Sequence, residues 1–131
     1  MLFMVAASFT KNSETSAVAV QEGDWIAPSS ANKLVSPIKD IVEASKEGKK
    51  NFQIQCAICH GEEGKGDGIA GMGLNPRPAD LTSSKVQKQS DGALFWKLTN
   101  GRPPMASYSG IFAAMQRWQL IAYIRTLSNK K

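Results

Sequence analysis

The 131-residue sequence predicts an all-α protein with long loops. Three segments carry apolar residues at steps of three or four, the period of an α-helix with one buried face. Stretches rich in glycine and proline, which are typical of loops, lie between them. No stretch alternates convincingly between apolar and polar residues, so we expect no β-sheet.

The first helix is predicted to begin at Ser36-Pro37 and to extend to about residue 54. Serine is a favourable N-cap and proline suits the first helical position, while Asp40 would lie near the positive end of the helix dipole. A glycine costs a helix roughly 1 kcal/mol relative to alanine, so Gly48 indicates a close helix crossing. The stripe expected to be buried is Ile38, Ile41, Val42, Ser45, Gly48 and Phe52.

Residues 61–73 contain six glycines and predict a loop, which Asn75-Pro76-Arg77-Pro78 extends. The third predicted element is a short helix that begins at Ser90 or Asp91 and ends at Asn100.

The last helix is predicted over about 113–128, where apolar residues form a wide face. Between the two C-terminal helices, Gly101 is the expected helix stop and Arg102 to Gly110 is a loop.

The first 36 residues are expected to form a tail. The apolar stretch Leu2 to Phe9 and the later Ala17-Val18-Ala19 resemble a shortened secretory signal without its usual positive charges; a disordered or partner-bound terminus is the alternative. Residues 10–36 predict an extended arm, in which Trp25 either folds back onto the domain or docks on a larger partner. The chain therefore divides into 1–36, a leader-like segment and arm, and 37–131, the domain.

Charge and hydropathy exclude several classes of protein. The net charge is +5, and residues 49–131 carry most of the positive charge, which favours an acidic partner. The basic residues are scattered, so we expect no nucleic-acid binding. The longest apolar run is far shorter than the roughly 20 residues of a membrane span, so no transmembrane segment is expected, although association with a membrane complex stays open.

The pattern Cys56-Ala57-Ile58-Cys59-His60 carries the chemistry, because C-x-x-C-H is the attachment pattern of a c-type haem. Thiols three residues apart lie on one side of a helical turn, where both can bond to one macrocycle. A disulfide would close only a tiny loop, and a thioredoxin-like dithiol needs a βαβ setting. A zinc site would lack a fourth Cys or His ligand. One covalent haem c, held by Cys56 and Cys59, is therefore expected.

The chain has a single histidine, so a second haem ligand must be of another type. Met105 is favoured, because it follows Pro103-Pro104 in a stiff loop that could cover the opposite haem face. Met72 is the main alternative, while Met115 is expected to pack in the core. Met1 and Met4 lie in the leader-like segment.

Residues 37–131 resemble a monohaem class I cytochrome c. The resemblance rests on the haem motif, on Gly48 and Phe52 in the first helix, and on the Leu120 and Tyr123 pair in the last. Further motifs are Asn100-Gly101-Arg102 before Met105, and Trp118 with Tyr123-Ile124-Arg125-Thr126-Leu127. The family often has proline directly after its ligand methionine, where this sequence has Ala106.

The resemblance implies a cytochrome c fold, with three to five helices and long loops around one haem. His60 and Met105 are then the iron ligands, and a proline carbonyl, that of Pro76 or of Pro78, accepts the other N–H of His60. Three further residues are expected near the haem propionates, namely Arg77, Trp96 and Arg102. The pocket is expected to be lined by Leu74, Leu81, Phe95 and Leu98.

The function expected from His/Met ligation is one-electron transfer and not catalysis, since both axial positions are filled. Electrons would pass from a quinol-oxidising complex or dehydrogenase to a terminal oxidase or reductase of a respiratory chain. The alternatives are a resident haem subunit of a larger respiratory complex, held by the arm, and an enzyme or gas sensor with an open iron site. Export to the periplasm, or to the outer face of the cytoplasmic membrane, is expected. The basic docking surface would use Lys65, Lys85, Lys88 and Lys97.

Overall fold

The computed structural model describes residues 24–129. The leader-like segment with Ala17-Val18-Ala19, residues 10–23 of the predicted arm, and Met1 and Met4 lie outside the described residues. Within the described part of the chain, no helix is long and apolar enough to cross a membrane.

Residues 24–129 form five α-helices and three short 3-10 helices. The α-helices are α1 Ile41–Gln55, α2 Ala57–His60, α3 Ser84–Gln87, α4 Asp91–Asn100 and α5 Ala114–Thr126. The 3-10 helices are Ser29–Lys33, Ile69–Gly71 and Leu127–Asn129. Residues 24–129 contain no strand, and their one isolated bridge joins Arg102 and Met105. The prediction of an all-α protein with long loops is confirmed.

The start of α1 differs from the prediction by about one turn. Asp40 is the N-cap, and its carboxylate accepts from the N–H groups of Val42 and Glu43 at 3.1 and 3.0 Å. Ser36 instead accepts locally from the N–H of Ile38 at 3.2 Å. A carboxylate that satisfies two orphan donors is the stronger cap, so the helix begins after Asp40 and not at Ser36-Pro37.

The buried face of α1 is also rotated from the predicted stripe. Ile41 and Val42 are 58% and 61% exposed, so their predicted burial was wrong. The residues that α1 buries are Ala44, Gly48 and Phe52, spaced four apart. Small side chains at the first two of these positions let α1 approach α5 closely. This close contact, and not the apolar pattern, decides which face of α1 is buried.

The crossing of α1 and α5 forms the centre of the core. Phe52, Leu120 and Leu127 are fully buried there, and the rings of Phe52 and Tyr123 lie 5.1 Å apart. A side chain at position 48 would overlap the backbone of Gln119, so the close crossing predicted from Gly48 is confirmed.

The two C-terminal helices agree with their predictions. Ser90 caps α4 by accepting from the N–H of Ala93 at 3.0 Å, and Gly101 ends the helix with φ +66°. The exception is Met115, whose side chain is 47% exposed on the first turn of α5. Its predicted core packing was wrong, because the buried face of α5 begins at Trp118.

Candidate functional site

The site is built around α2, the short helix that follows directly from α1. Cys56 caps this helix and Cys59 lies within its single turn, so the two half-buried thiols open onto one cavity together with His60. Hydrogen bonds from the N–H groups of His60 and Gly61 to the carbonyls of Cys56 and Ala57, at 2.9 and 2.8 Å, hold the turn. The local fold thus gives the C-x-x-C-H pattern the helical turn that its spacing predicts.

The cavity has a volume of about 1000 Å³ and largely apolar walls. It lies between α2, the 74–81 segment, α4, the 102–108 loop and α5. Of the pocket residues expected from the sequence, Leu74, Leu81 and Leu98 line it. Phe95 does not, because its ring stacks on Trp118 at 4.0 Å on another face of α4. A space of this size suits a large, flat apolar ligand.

His60 is oriented by a backbone carbonyl. Its Nδ1–H donates to the carbonyl of Ala79 at 3.0 Å, which leaves Nε2 as the basic nitrogen of the ring. Burial lowers the pKa of His60, while the Ala79 hydrogen bond opposes that shift. The imidazole is therefore neutral at pH 7 and competent as a metal ligand.

The acceptor expected from the resemblance was the carbonyl of Pro76 or Pro78, and the structure corrects this. The Pro78 carbonyl faces Gly66 instead: a Cβ at Gly66 would lie only 2.6 Å from its oxygen. The chain therefore presents the next carbonyl, that of Ala79, to the imidazole. Pro76 and Pro78 keep a place in the cavity wall.

The Cys56 thiol lacks the environment of a reactive cysteine. Burial raises the pKa of Cys56 to about 12, and Cys59 adds to the effect, so Cys56 is a protonated thiol at neutral pH. The two cysteines are free, and no group of three or more His, Cys, Asp or Glu side chains among residues 24–129 is arranged to hold a metal ion. This geometry disfavours both the disulfide and the zinc alternatives.

Met105 is the methionine that the fold brings to the cavity. Its side chain is half-buried and lines the same space as His60, whereas Met72 is 56% exposed and does not. Two backbone hydrogen bonds with Arg102, of 3.1 and 2.8 Å, close a tight turn that presents Met105. Met105 and His60 thus share one cavity although they lie 45 positions apart in the sequence.

Positive charges exceed negative ones around the cavity. Burial lowers the pKa of Lys97, and the neighbouring Arg102 charge adds to that shift. Such an excess suits a ligand that carries carboxylates. The charged lining residues are Arg77, Lys85, Lys88, Lys97 and Arg102, against Asp24 and Asp80.

Trp96, expected near the propionates, does not line the cavity. Its neighbour Lys97 does, together with Ala93, Leu94 and Leu98, because these positions share one face of α4. Trp96 points away from that face, so its predicted role was wrong.

Sequence reasoning missed Trp25, Ala79 and Tyr108 as site residues. Trp25 stood out only as the apolar point of the arm, and nothing in the local sequence marks the carbonyl of Ala79. Tyr108 lies near the thiols: burial raises its pKa, and Cys56 and Cys59 add to the shift. All three reach the cavity through long-range folding, which no local pattern reports.

Fold and site together define a small all-α protein with one covalent haem site. The family model for cytochrome c matches residues 45–128, more than half of the chain, so the protein belongs to the cytochrome c family. Members of this family bind haem c covalently, and the spacing of Cys56 and Cys59 fits the attachment of a single haem.

A solved structure supports the same fold. A chain of the Kuenenia stuttgartiensis reducing HAO-like protein complex is 27% identical to this protein, with a TM-score of 0.62. The match covers 70% of this chain and 46% of the other, so the protein corresponds to less than half of that relative's length. No curated protein matches this chain.

The residues present fit haem c on the structure alone. Two free thiols, one carbonyl-bound imidazole and a thioether converge on an apolar cavity with an excess of cations. Haem c needs two thiols for its thioether bonds, a nitrogen ligand, apolar walls and partners for two carboxylates, and each requirement has a residue here.

Proposed function

We propose that the protein is a one-electron carrier in which His60 and Met105 are the axial ligands of haem c. The observation that supports this most directly is the presence of Met105 in the same cavity as His60, while Met72 faces solvent. Haem c supplies an iron centre that gains and loses one electron. Ligation by His and Met fills both axial positions and favours the reduced state.

The chain's own residues have three tasks in this function. The carbonyl of Ala79 holds the His60 proton on Nδ1, which leaves Nε2 as the nitrogen that would bind the haem iron. The closed turn from Arg102 to Met105 holds the thioether in place. The apolar side chains of α4 and α5 exclude water, which limits the reorganisation that accompanies each change of charge.

The proposed donors are a quinol-oxidising complex or dehydrogenase, and the proposed acceptors are a terminal oxidase or reductase, as in a respiratory chain. Lys85, Lys88 and Lys97 lie around the cavity and supply a basic docking surface for acidic partners. Lys65 is set apart from them, because it lines a different groove. The rate of electron transfer to a partner is expected to fall as ionic strength rises; a rate independent of salt contradicts this docking surface.

A second candidate is a resident haem subunit of a larger assembly. The similar chain in the HAO-like protein complex favours it, because that chain is part of a multiprotein complex. Purification separates the two: a monomer released without detergent supports the carrier, and stable co-purification with other subunits supports the resident subunit. In either case we propose a periplasmic position or the outer face of the cytoplasmic membrane, which fractionation of the native cells tests.

Optical spectra of the purified holoprotein test the ligation. The pyridine derivative is expected to report one covalent haem c per chain, and the oxidised protein to show the weak sulfur-to-iron charge-transfer band. An open iron site, as in an enzyme or gas sensor, would lack this band and bind carbon monoxide readily in the reduced state. That result would overturn the proposed His60 and Met105 pair.

A further inference from the structure

We propose that residues 24–34, here named the strap, close one edge of the haem cavity and that Trp25 is the residue that shields the cofactor from water there. The inference rests on the proposed haem site, since it concerns what covers that site. Trp25, Ile26 and Ala27 all line the cavity, although they precede the first α-helix by more than a dozen residues.

The indole of Trp25 lies close to two cations of the cavity wall. The Nζ atom of Lys97 is 5.6 Å and the Cζ atom of Arg102 is 5.2 Å from the ring centroid. Both distances are within the range of a cation–π interaction, which gains strength as water is removed. Trp25 therefore covers the charged edge of the cavity while its own half-buried ring contributes apolar surface.

The strap is fastened to α4 beyond this contact. Ala31 is 2% exposed, and it lies so close to Gly92 that a side chain at position 92 would overlap the carbonyl of Ala31. The Oγ of Ser90 donates to the side-chain oxygen of Asn32 at 2.5 Å. The strap is thus a docked element, and Gly92 is the position in α4 that permits the docking.

The ion pair between Asp24 and Lys85 adds a further contact at the start of the strap. Both side chains are more than 60% exposed, so the pair contributes little to holding the strap. The buried contact of Ala31 with Gly92 and the indole of Trp25 therefore carry the attachment.

Shielding by Trp25 is expected to change the midpoint potential of the haem in one direction. The oxidised haem carries one more positive charge than the reduced haem, and an environment from which water is excluded disfavours the more highly charged form. The charges of Lys97 and Arg102 disfavour it further, most strongly where water does not screen them. Removing the indole is therefore expected to lower the midpoint potential.

Spectroelectrochemical titration of the full-length holoprotein tests the strap. We expect Trp25→Ala to shift the midpoint potential downward, and Trp25→Phe to retain most of the native value because it keeps an aromatic face. Gly92→Ala is expected to lower the potential as well, since it displaces the strap without altering any cavity-lining side chain. Trp96→Ala is the matched control, because Trp96 lies on the same helix outside the cavity, and its potential is expected to be native.

An unchanged potential in both Trp25→Ala and Gly92→Ala would overturn the proposal, as would an equal shift in Trp96→Ala. Thermal unfolding distinguishes shielding from a merely structural role of Trp25. A merely structural role would lower the unfolding temperature of Trp25→Ala and leave its midpoint potential unchanged. If Trp25→Ala does not yield holoprotein, the midpoint potential of Gly92→Ala alone tests the proposal, and a native value would overturn it. The wild-type sulfur-to-iron band reports the proposed ligation independently, so failure of one proposal is distinguishable from failure of the other.

Discussion

Gly48 lies directly against the backbone carbonyl of Gln119, so at this position no side chain of α1 separates it from α5. Replacing Gly48 by alanine would gain roughly 1 kcal/mol of helix propensity in isolation. The alanine Cβ, however, would meet backbone atoms that cannot rotate away. We therefore expect Gly48→Ala to destabilise the holoprotein by about 1–3 kcal/mol, the usual cost of overpacking, as measured by urea unfolding followed by far-UV circular dichroism.

Gly110→Ala is the control for this variant. No atom lies within 4 Å of a Cβ built at Gly110, so its stability should stay within about 0.5 kcal/mol of the native value. Equal stability of the two variants would show that the crossing tolerates a side chain.

Met105→Ala is expected to abolish the sulfur-to-iron band and lower the midpoint potential, because a thioether that stabilises reduced iron is lost. The reduced variant should then bind carbon monoxide more readily than the native protein. Visible spectra of the oxidised and reduced variant measure the sulfur-to-iron band and the binding of carbon monoxide. Met72→Ala provides the comparison, since its side chain is 56% exposed and outside the cavity; loss of the band in Met72→Ala alone would reverse the assignment.

Removal of the haem is expected to unfold the domain. Without haem, the apolar walls of the roughly 1000 Å³ cavity would face water and the burial of the cofactor's apolar surface would be lost. The free energy of unfolding of a small domain is only about 5–15 kcal/mol, so the loss of this burial is expected to exceed it. Circular dichroism of the haem-free Cys56→Ser, Cys59→Ser double variant should show little helix, and a cooperative thermal transition would contradict the expectation.

Arg125 fastens α5 to the segment before α4. Its guanidinium donates to Asp91 at 2.7 Å, to the carbonyl of Gln87 at 2.8 Å and to the carbonyl of Gln89. Arg125→Ala is expected to destabilise the protein by about 2–3 kcal/mol, because two backbone carbonyls lose a charged donor along with the carboxylate. Asp91→Ala should cost about 1 kcal/mol or less, since its carboxylate is half exposed and only one bond is lost.

Thermal unfolding of Arg125→Ala, Arg125→Lys and Asp91→Ala holoproteins measures the difference. The stability of Arg125→Lys should lie between those of Arg125→Ala and Asp91→Ala, because an ammonium group cannot reproduce the several hydrogen bonds of the guanidinium. If Asp91→Ala is as destabilised as Arg125→Ala, the ion pair and not the carbonyl contacts fastens the helix.

The parts of the fold that could be predicted from the sequence depend on local chemistry. The Ser90 cap, the Gly101 stop and the C-x-x-C-H turn each involve residues within five positions of one another, so their spacing alone reports them. The start of α1 was predicted about one turn too early, because Ser36 also suits an N-cap and only the larger number of N–H groups that Asp40 satisfies separates the two. Ile41 was predicted to be buried because an apolar pattern gives no weight to small residues such as Ala44 and Gly48, which form the contact with α5.

The parts of the site that could not be predicted depend on distant segments. Ala79 contributes only a backbone carbonyl, which every residue has. His60 donates to this carbonyl and not to that of Pro78, because the Pro78 carbonyl packs against Gly66. Trp25 and Trp96 look alike in sequence, yet the strap brings the first into the cavity and the turn of α4 carries the second away. Met105, which the sequence favoured as the second iron ligand because its loop is stiffened by prolines, lines the cavity and Met72 does not, while its ligation of iron stays a prediction.

The turn that pairs the backbone of Arg102 with that of Met105 has a kinetic consequence. With both of its hydrogen bonds made, the turn leaves the thioether little freedom beyond its own side-chain torsions. As the proposed iron ligand, a thioether that keeps the same position in both oxidation states would contribute little to the nuclear rearrangement that accompanies each electron transfer. The speed of electron exchange in this protein would then be set more by encounter with its partners than by motion at the iron.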